Sequence, residues 1–230
     1  RQGTIEMGGT GSVVNALPPK LKINNEAVYG NYNATTSSQT SNAGGFDSIW
    51  QYDGGCVSAW IYPKSDGEGN YARIFDKAKW TLNFIAESGT NAKIEFYHAF
   101  STTYGSWRTT NYDIPYDAWT HIAVVYDSDS DANNAVLYVN GVAVAVTETH
   151  TPSGTATSDA SDDLYIGNRA AGDRTFDGYI MDAKIYKNVA VTATNVAKMA
   201  SKINVDKDAP NMPTSGLQGW YKFNASTTAD

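Results

Sequence analysis

Polar and apolar positions alternate through most of this chain, and the clearest stretch is residues 119–141. Two runs rich in Val, Ile, Tyr and Trp, residues 119–126 and 135–139, flank a polar loop, Asp127-Ser-Asp-Ser-Asp-Ala-Asn-Asn134. β-Branched and aromatic side chains suit a pleated, half-buried surface. Asn140-Gly141 follows the second run, and this pair accepts the positive φ angles of a type I′ turn. The pattern predicts that residues 142–148 fold straight back, completing a three-strand antiparallel meander. Further strand patterns fall at 56–62, 71–76, 80–86, 92–98, 105–110, 163–167 and 176–186, separated by clusters of Gly, Asp, Ser and Asn. Short strands with turn signals between them and no alternating helices predict an all-β, two-sheet antiparallel sandwich. Residues 192–203 are the one helical pattern, with Val196, Met199 and Ala200 on one side and Thr192 or Thr194 as cap.

The first 45 residues break the pattern. They are rich in Gly, Asn, Ser and Thr, so little there drives burial, and they predict an irregular arm with short strands at 13–17 and 21–23. A linker at 204–216 holds Pro210 and Pro213, and Leu217-Gln-Gly-Trp-Tyr-Lys-Phe223 reads as a last strand. Seventeen basic residues against twenty-four acidic give a net charge of −7, which argues against a nucleic-acid partner. No apolar run reaches the roughly 18 residues of a membrane-spanning helix, so no membrane partner is expected. Cys56 is the single cysteine, in an apolar run where a thiol packs as a small hydrophobe.

Five segments together resemble laminin-G-like domains of the concanavalin A-like superfamily. They are Val57-Ser-Ala-Trp-Ile-Tyr-Pro63; Ile74-Phe-Asp-Lys77 with Trp80-Thr-Leu82; Trp119 to Tyr126 with Leu137-Tyr-Val-Asn-Gly141; Leu164-Tyr-Ile-Gly167; and Phe176-Asp-Gly-Tyr-Ile-Met-Asp-Ala-Lys-Ile-Tyr186. The resemblance implies a jelly-roll sandwich over 46–203, after an arm at 1–45. It also marks a departure. The first-strand motif of such domains is matched only by residues 217–230, at the far end. That segment would close the sandwich, swap into a neighbouring subunit, or begin a further domain.

Catalytic chemistry has little support. Related glucanases alternate acidic residues on one strand to hold two carboxylates about 5–5.5 Å apart. No such run occurs here, Glu95 stands alone, and His98, His121 and His150 lack a nucleophile context. A non-enzymatic protein is expected, with His121 structural by the resemblance. Calcium is a candidate cofactor: Asp127, Asp129 and Asp131 alternate as in calcium loops, though without the glycine and closing glutamate of the EF-hand pattern. The resemblance adds Asp182 as a second candidate ligand. Asp159, Asp162 and Asp163 read as solvating a long loop.

Carbohydrate binding is the sharper expectation. Sugars stack on exposed aromatics while polar side chains satisfy their hydroxyls. Tyr104, Trp107, Arg108 and Tyr112 form the best such stretch, and the family topology could bring Asn168, Arg169 and Arg174 near it. The competing expectation is a structural part of an assembly, its arm and terminal strand docking on neighbouring subunits. By the resemblance, either module would sit on an extracellular or virion surface, as a glycan-binding adhesin or as a phage fibre or capsid decoration.

Overall fold

Every second residue of the run 91–98 is buried: Ala92, Ile94, Phe96 and His98 point into the protein, while Asn91, Lys93, Glu95 and Tyr97 are only half-buried. The same two-residue period organises the rest of the sandwich. A computed structural model describes residues 5–6, 28–30, 38–40, 46–201 and 215–221. In chain order the strands are β1 (Ile5–Glu6), β2 (Val28–Gly30), β3 (Ser38–Thr40), β4 (Gly55–Pro63), β5 (Arg73–Asp76), β6 (Trp80–Ser88), β7 (Asn91–His98) and β8 (Gly105–Thr109). They continue with β9 (Ile114–Pro115), β10 (Thr120–Tyr126), β11 (Val136–Val139), β12 (Val142–Ala143), β13 (Val146–His150), β14 (Leu164–Ile166), β15 (Gly178–Lys187) and β16 (Leu217–Tyr221), with one helix, α1 (Ala193–Ala200), before β16. The strands predicted at 13–17 and 21–23 lie outside the described residues.

Two sheets result. The first runs β1-β2-β15-β4-β10-β11-β12, with β16 also on β15; the second runs β13-β8-β7-β6-β5-β14-β3, with β9 on β7. Among the described residues all pairings are antiparallel except β1 with β2. Val57, Ala59, Ile61, Ile122, Val124 and Ile185 of the first sheet meet Trp80, Leu82, Phe84, Ile94 and Phe96 of the second in one core. The chain is thus the all-β, two-sheet jelly-roll sandwich that its pattern predicts, with one short α-helix among the described residues. Thr192 caps that helix: its Oγ1 accepts from Asn195 N at 3.2 Å, while Thr192 N donates to Asn195 Oδ1. Val196 and Met199 seal the outer face of the first sheet over Cys56, Ala123, Tyr138 and Tyr186. Burial pushes the Cys56 thiol pKa far up, as suits an inert packing residue.

The meander does not run as its sequence suggests. Asn140 (φ 49°) and Gly141 (φ 82°) make the tight turn, and Val142 and Ala143 do pair back onto β11. The chain then changes sheets. Val144 N still donates to Leu137 O at 3.0 Å, but Ala145 O already accepts from Thr110 N at 2.8 Å. From Val146 the strand pairs with β8, covering an edge of the second sheet that would otherwise be bare.

The terminal strand lies against its own chain. β15 pairs with β4 along one edge; its other edge is shared by β2 over Gly178–Ile180 and by β16 over Ala183–Tyr186. Asp182 sits at the bulge between the two, with φ 54°.

Asp159 does not solvate its loop. It is 3% exposed, and its carboxylate accepts from Ser48 N (2.8 Å) and Trp80 Nε1 (3.0 Å) beside the buried Lys77 ammonium. Backbone hydrogen bonds tie residues 153–157 to residues 99–103, and the Asp159 side chain anchors the following turn to Ser48, Lys77 and Trp80.

Candidate functional site

The outward residues of the second sheet form a polar face. Ser106 and Arg108 on β8 lie opposite Tyr97 and Glu95 on β7, and Asn83 on β6 lies opposite Glu95 from the other side. Arg108 Nε donates to Glu95 Oε1 at 2.8 Å, and Ser106 Oγ also donates to that oxygen. On β5, Arg73 Nε pairs with Asp76 at 3.0 Å. A groove of about 300 Å³ crosses this face. Ile85 and Ala86 form its apolar floor, Lys93 and Arg108 supply charge, and Thr109, Thr147 and Thr149 line one side.

Two tyrosines belong to the groove. Tyr71 is 42% exposed and Tyr112 is 40% exposed. Each is steadied by a cation: the Arg174 guanidinium lies 5.7 Å from the Tyr71 ring centre, and Lys93 Nζ lies 4.7 Å from that of Tyr112. Tyr104 sits on the same sheet, its ring 5.0 Å from Tyr97 and its hydroxyl hydrogen-bonded to His150 Nε2 at 2.8 Å.

The sequence-predicted binding residues therefore divide. Arg108 and Tyr112 line the groove, and Arg174 touches it through Tyr71. Trp107 is not a sugar platform: it is 1% exposed, stacked on Phe96 at 5.9 Å, with Nε1 donating to Asn134. Alternation along β8 aims Trp107 inward between outward Ser106 and Arg108. Gly105 makes the room, since a Cβ there would lie 2.2 Å from the indole ring. Asn168 is buried as well. Its Oδ1 accepts from the backbone N–H of Arg169 and of Arg174, at 2.8 and 3.0 Å, so it shapes the loop that carries both arginines. Arg169 is held in that loop by Asp173 at 2.6 Å, a contact that lowers the Asp173 carboxyl to about 2.

Tyr71 and Lys93 were missed. Tyr71 reads simply as the start of a strand, and only the register of β7 shows that Lys93 shares a face with Glu95 and Arg108.

The candidate calcium ligands do not converge. Asp127 accepts from Asp129 N at 2.9 Å, Asp129 from Tyr52 N at 2.9 Å, and Asp131 from Gly154 N at 2.9 Å, so the carboxylates serve three different backbone segments. Asp182 already faces a cation: Lys184 Nζ lies 2.5 Å away, and Trp220 Nε1 donates to it at 2.6 Å. Among the described residues no three His, Cys, Asp or Glu side chains come together as a metal would need. These residues do not fit a calcium ion. Calorimetry in millimolar calcium and in chelator should give the same melting transition within a degree or so; a rise of several degrees with calcium alone would reverse the assignment.

Comparison with known proteins follows from the fold. Residues 30–197 match the laminin-G family described as the concanavalin A-like lectin/glucanases superfamily. The enzymatically active domain of tailspike protein 2 from bacteriophage CBA120 superposes with a TM-score of 0.51 at 11% identity, over 90% of this chain and 34% of that one. Full-length tailspike protein 2 from the Escherichia coli O157:H7 bacteriophage gives 0.50 at 11% identity, over 90% and 31%. The binding domain of botulinum neurotoxin serotype D gives 0.47 at 18% identity, over 70% and 41%. This chain thus spans about a third of the length of the tailspike chains it matches, and the likeness is one of fold. No curated protein matches the sequence. Among the described residues, no helix is long and apolar enough to cross a membrane.

Proposed function

This chain belongs to the concanavalin A-like lectin/glucanases superfamily, and from that premise we propose that it is a non-enzymatic recognition module that binds carbohydrate in the groove on its second sheet. The observation that carries this reading is the pairing of Tyr71 and Tyr112 with a polar surround. Both rings are exposed, an apolar floor lies between the sheet residues, and the exposed Thr147 and Thr149 with Lys93 and Arg108 can satisfy sugar hydroxyls. The two carboxylates on this face favour binding over hydrolysis. Glu95 is committed to Arg108 and Ser106, and Asp76 to Arg73 and the backbone N–H of Ala78. A module of this kind would act on an extracellular or virion surface, where glycans are presented.

A glycan array is the direct test. Binding should appear on a subset of glycans, and Tyr112→Ala and Tyr71→Ala should each weaken it about tenfold, the effect of losing roughly 1.4 kcal/mol of stacking. Retained binding in both variants would dismiss the groove. A module that serves only assembly would bind no array member and would instead run as a defined oligomer by light scattering.

A further inference from the structure

The charges of the groove run against those of the chain. The whole sequence carries −7, yet the charged side chains lining the groove are Lys93 and Arg108, with no carboxylate among them. Glu95, the nearest acid in register, is taken up by Arg108 and Ser106. Lys93 is different. Its ammonium donates to the Thr110 carbonyl at 2.6 Å and lies over Tyr112, and among the described residues no carboxylate pairs with it.

Register fixes how the two cations stand. Arg108 lies directly opposite Glu95, and Lys93 is two residues along the same face of β7. That makes Lys93 and Arg108 diagonal neighbours, with Cα atoms about 7–8 Å apart. On the far side of the groove, behind Tyr71, Arg174 joins Arg73 and Arg169. Burial pulls the Arg73 pKa down despite Asp76, and the two neighbouring arginines add to that fall. Asp76 and Asp173 neutralise Arg73 and Arg169, so the positive potential on this concave, partly apolar surface comes from Lys93, with Arg174 behind Tyr71.

Resting on the carbohydrate reading above, we infer that the groove selects acidic oligosaccharides, with the sugar ring against Tyr112 and its carboxylate or sulfate on the ammonium of Lys93. An anion supplies the counter-charge that Lys93 lacks, and the Tyr112 ring directly beneath the ammonium places the apolar face of a sugar next to it. Lys93 is then the specificity-determining residue, and the tyrosines bind whatever ring is offered.

The experiment uses the whole chain against matched probes: oligogalacturonate beside its methyl ester, and dextran sulfate beside dextran, on the same surface as a general glycan array. In low salt the charged member of at least one pair should bind ten times or more tighter than its uncharged twin. Oligogalacturonate winning names a carboxylate ligand, and dextran sulfate winning names a sulfate. Lys93→Gln should erase the preference, Lys93→Arg should restore it, and 0.5 M salt should mimic the glutamine variant. Equal binding of charged and uncharged twins, or a preference unmoved by Lys93→Gln, overturns the inference. If neutral array glycans are then still lost in Tyr112→Ala, the carbohydrate reading stands without it. No binding to any glycan overturns both.

Discussion

Replacing Asp159 with alanine is expected to destabilise the protein by about 3–5 kcal/mol, a fall in melting temperature on the order of 10 °C. Lys77 is 1% exposed, and its ammonium is held by the Asp159 carbonyl (2.6 Å), by Asp47 (2.9 Å) and by the Asp159 carboxylate (3.5 Å). Alanine leaves that buried charge with one carboxylate, and it strands the N–H groups of Ser48 and Trp80. A buried donor without an acceptor costs about 1–3 kcal/mol, so the loss is spread over three groups. Asparagine keeps one acceptor oxygen and should fall between the two. The double variant Asp159→Leu with Lys77→Met removes both charges and should recover part of the loss, which a double-mutant cycle would report as a favourable coupling. Thermal melts of the parent, Asp159→Ala, Asp159→Asn and the three variants of the cycle decide the matter: a melting temperature for Asp159→Ala within about 2 °C of the parent would mean that the network holds nothing in place.

The burial of Asp159 leaves no local trace in the sequence. The residue stands in Ser158-Asp-Ala-Ser-Asp-Asp163, where every neighbour is polar or small, and a local pattern of that kind is the signature of a solvated loop. What buries it is a lysine 82 positions earlier and a tryptophan 79 earlier. The strands were legible because their signal is local: the two-residue alternation of β7 is written in eight consecutive letters. Parity was not. Tyr104-Gly-Ser-Trp-Arg108 alternates equally well with Trp107 outside or inside, and only pairing with Phe96 across the ladder chooses. The change of sheet at Val144-Ala145 is silent for the same reason, since apolar alternation continues smoothly from β12 into β13 while the hydrogen-bond partners change. Two of the four aromatic and charged groove residues were within reach, Arg108 and Tyr112 from one contiguous stretch. Tyr71 and Lys93 came from other strands and needed the register.

Acid should unfold this protein through its histidines. His98 is 4% exposed and His121 is fully buried. Burial lowers the His98 pKa to about 4, although the Ala99 carbonyl and Asp159 pull it upward. Burial lowers the His121 pKa to about 3, and the positive charge of Lys184 adds to the fall. Unfolded, both titrate near 6.5. The folded state therefore binds fewer protons below that value, so the contribution is complete above about pH 6.5 and is lost as pH falls towards 4 and 3. By pH 4 each histidine forfeits roughly 3 kcal/mol at the usual 1.36 kcal/mol per pKa unit.

Asp66 works in the opposite direction. It is 6% exposed; burial and then the charge of Glu87 raise its carboxyl from 3.8 to about 6, so ionising it at neutral pH costs stability that returns as pH falls from 6 towards 4. That return is about 2 kcal/mol. Asp76, whose carboxyl burial also raises, adds to that return, so the net loss between pH 7 and pH 4 is smaller than the two histidines alone would give. Urea titrations at half-unit pH steps should show stability falling below pH 6.5. In His121→Asn the limb should lose about one proton's worth of slope, whatever that variant's stability at pH 7. Asp66→Asn should raise stability at pH 7 and leave it nearly unchanged at pH 4. A flat profile from pH 7 to 4, or a slope untouched in His121→Asn, would mean that the buried imidazole is not what acid attacks.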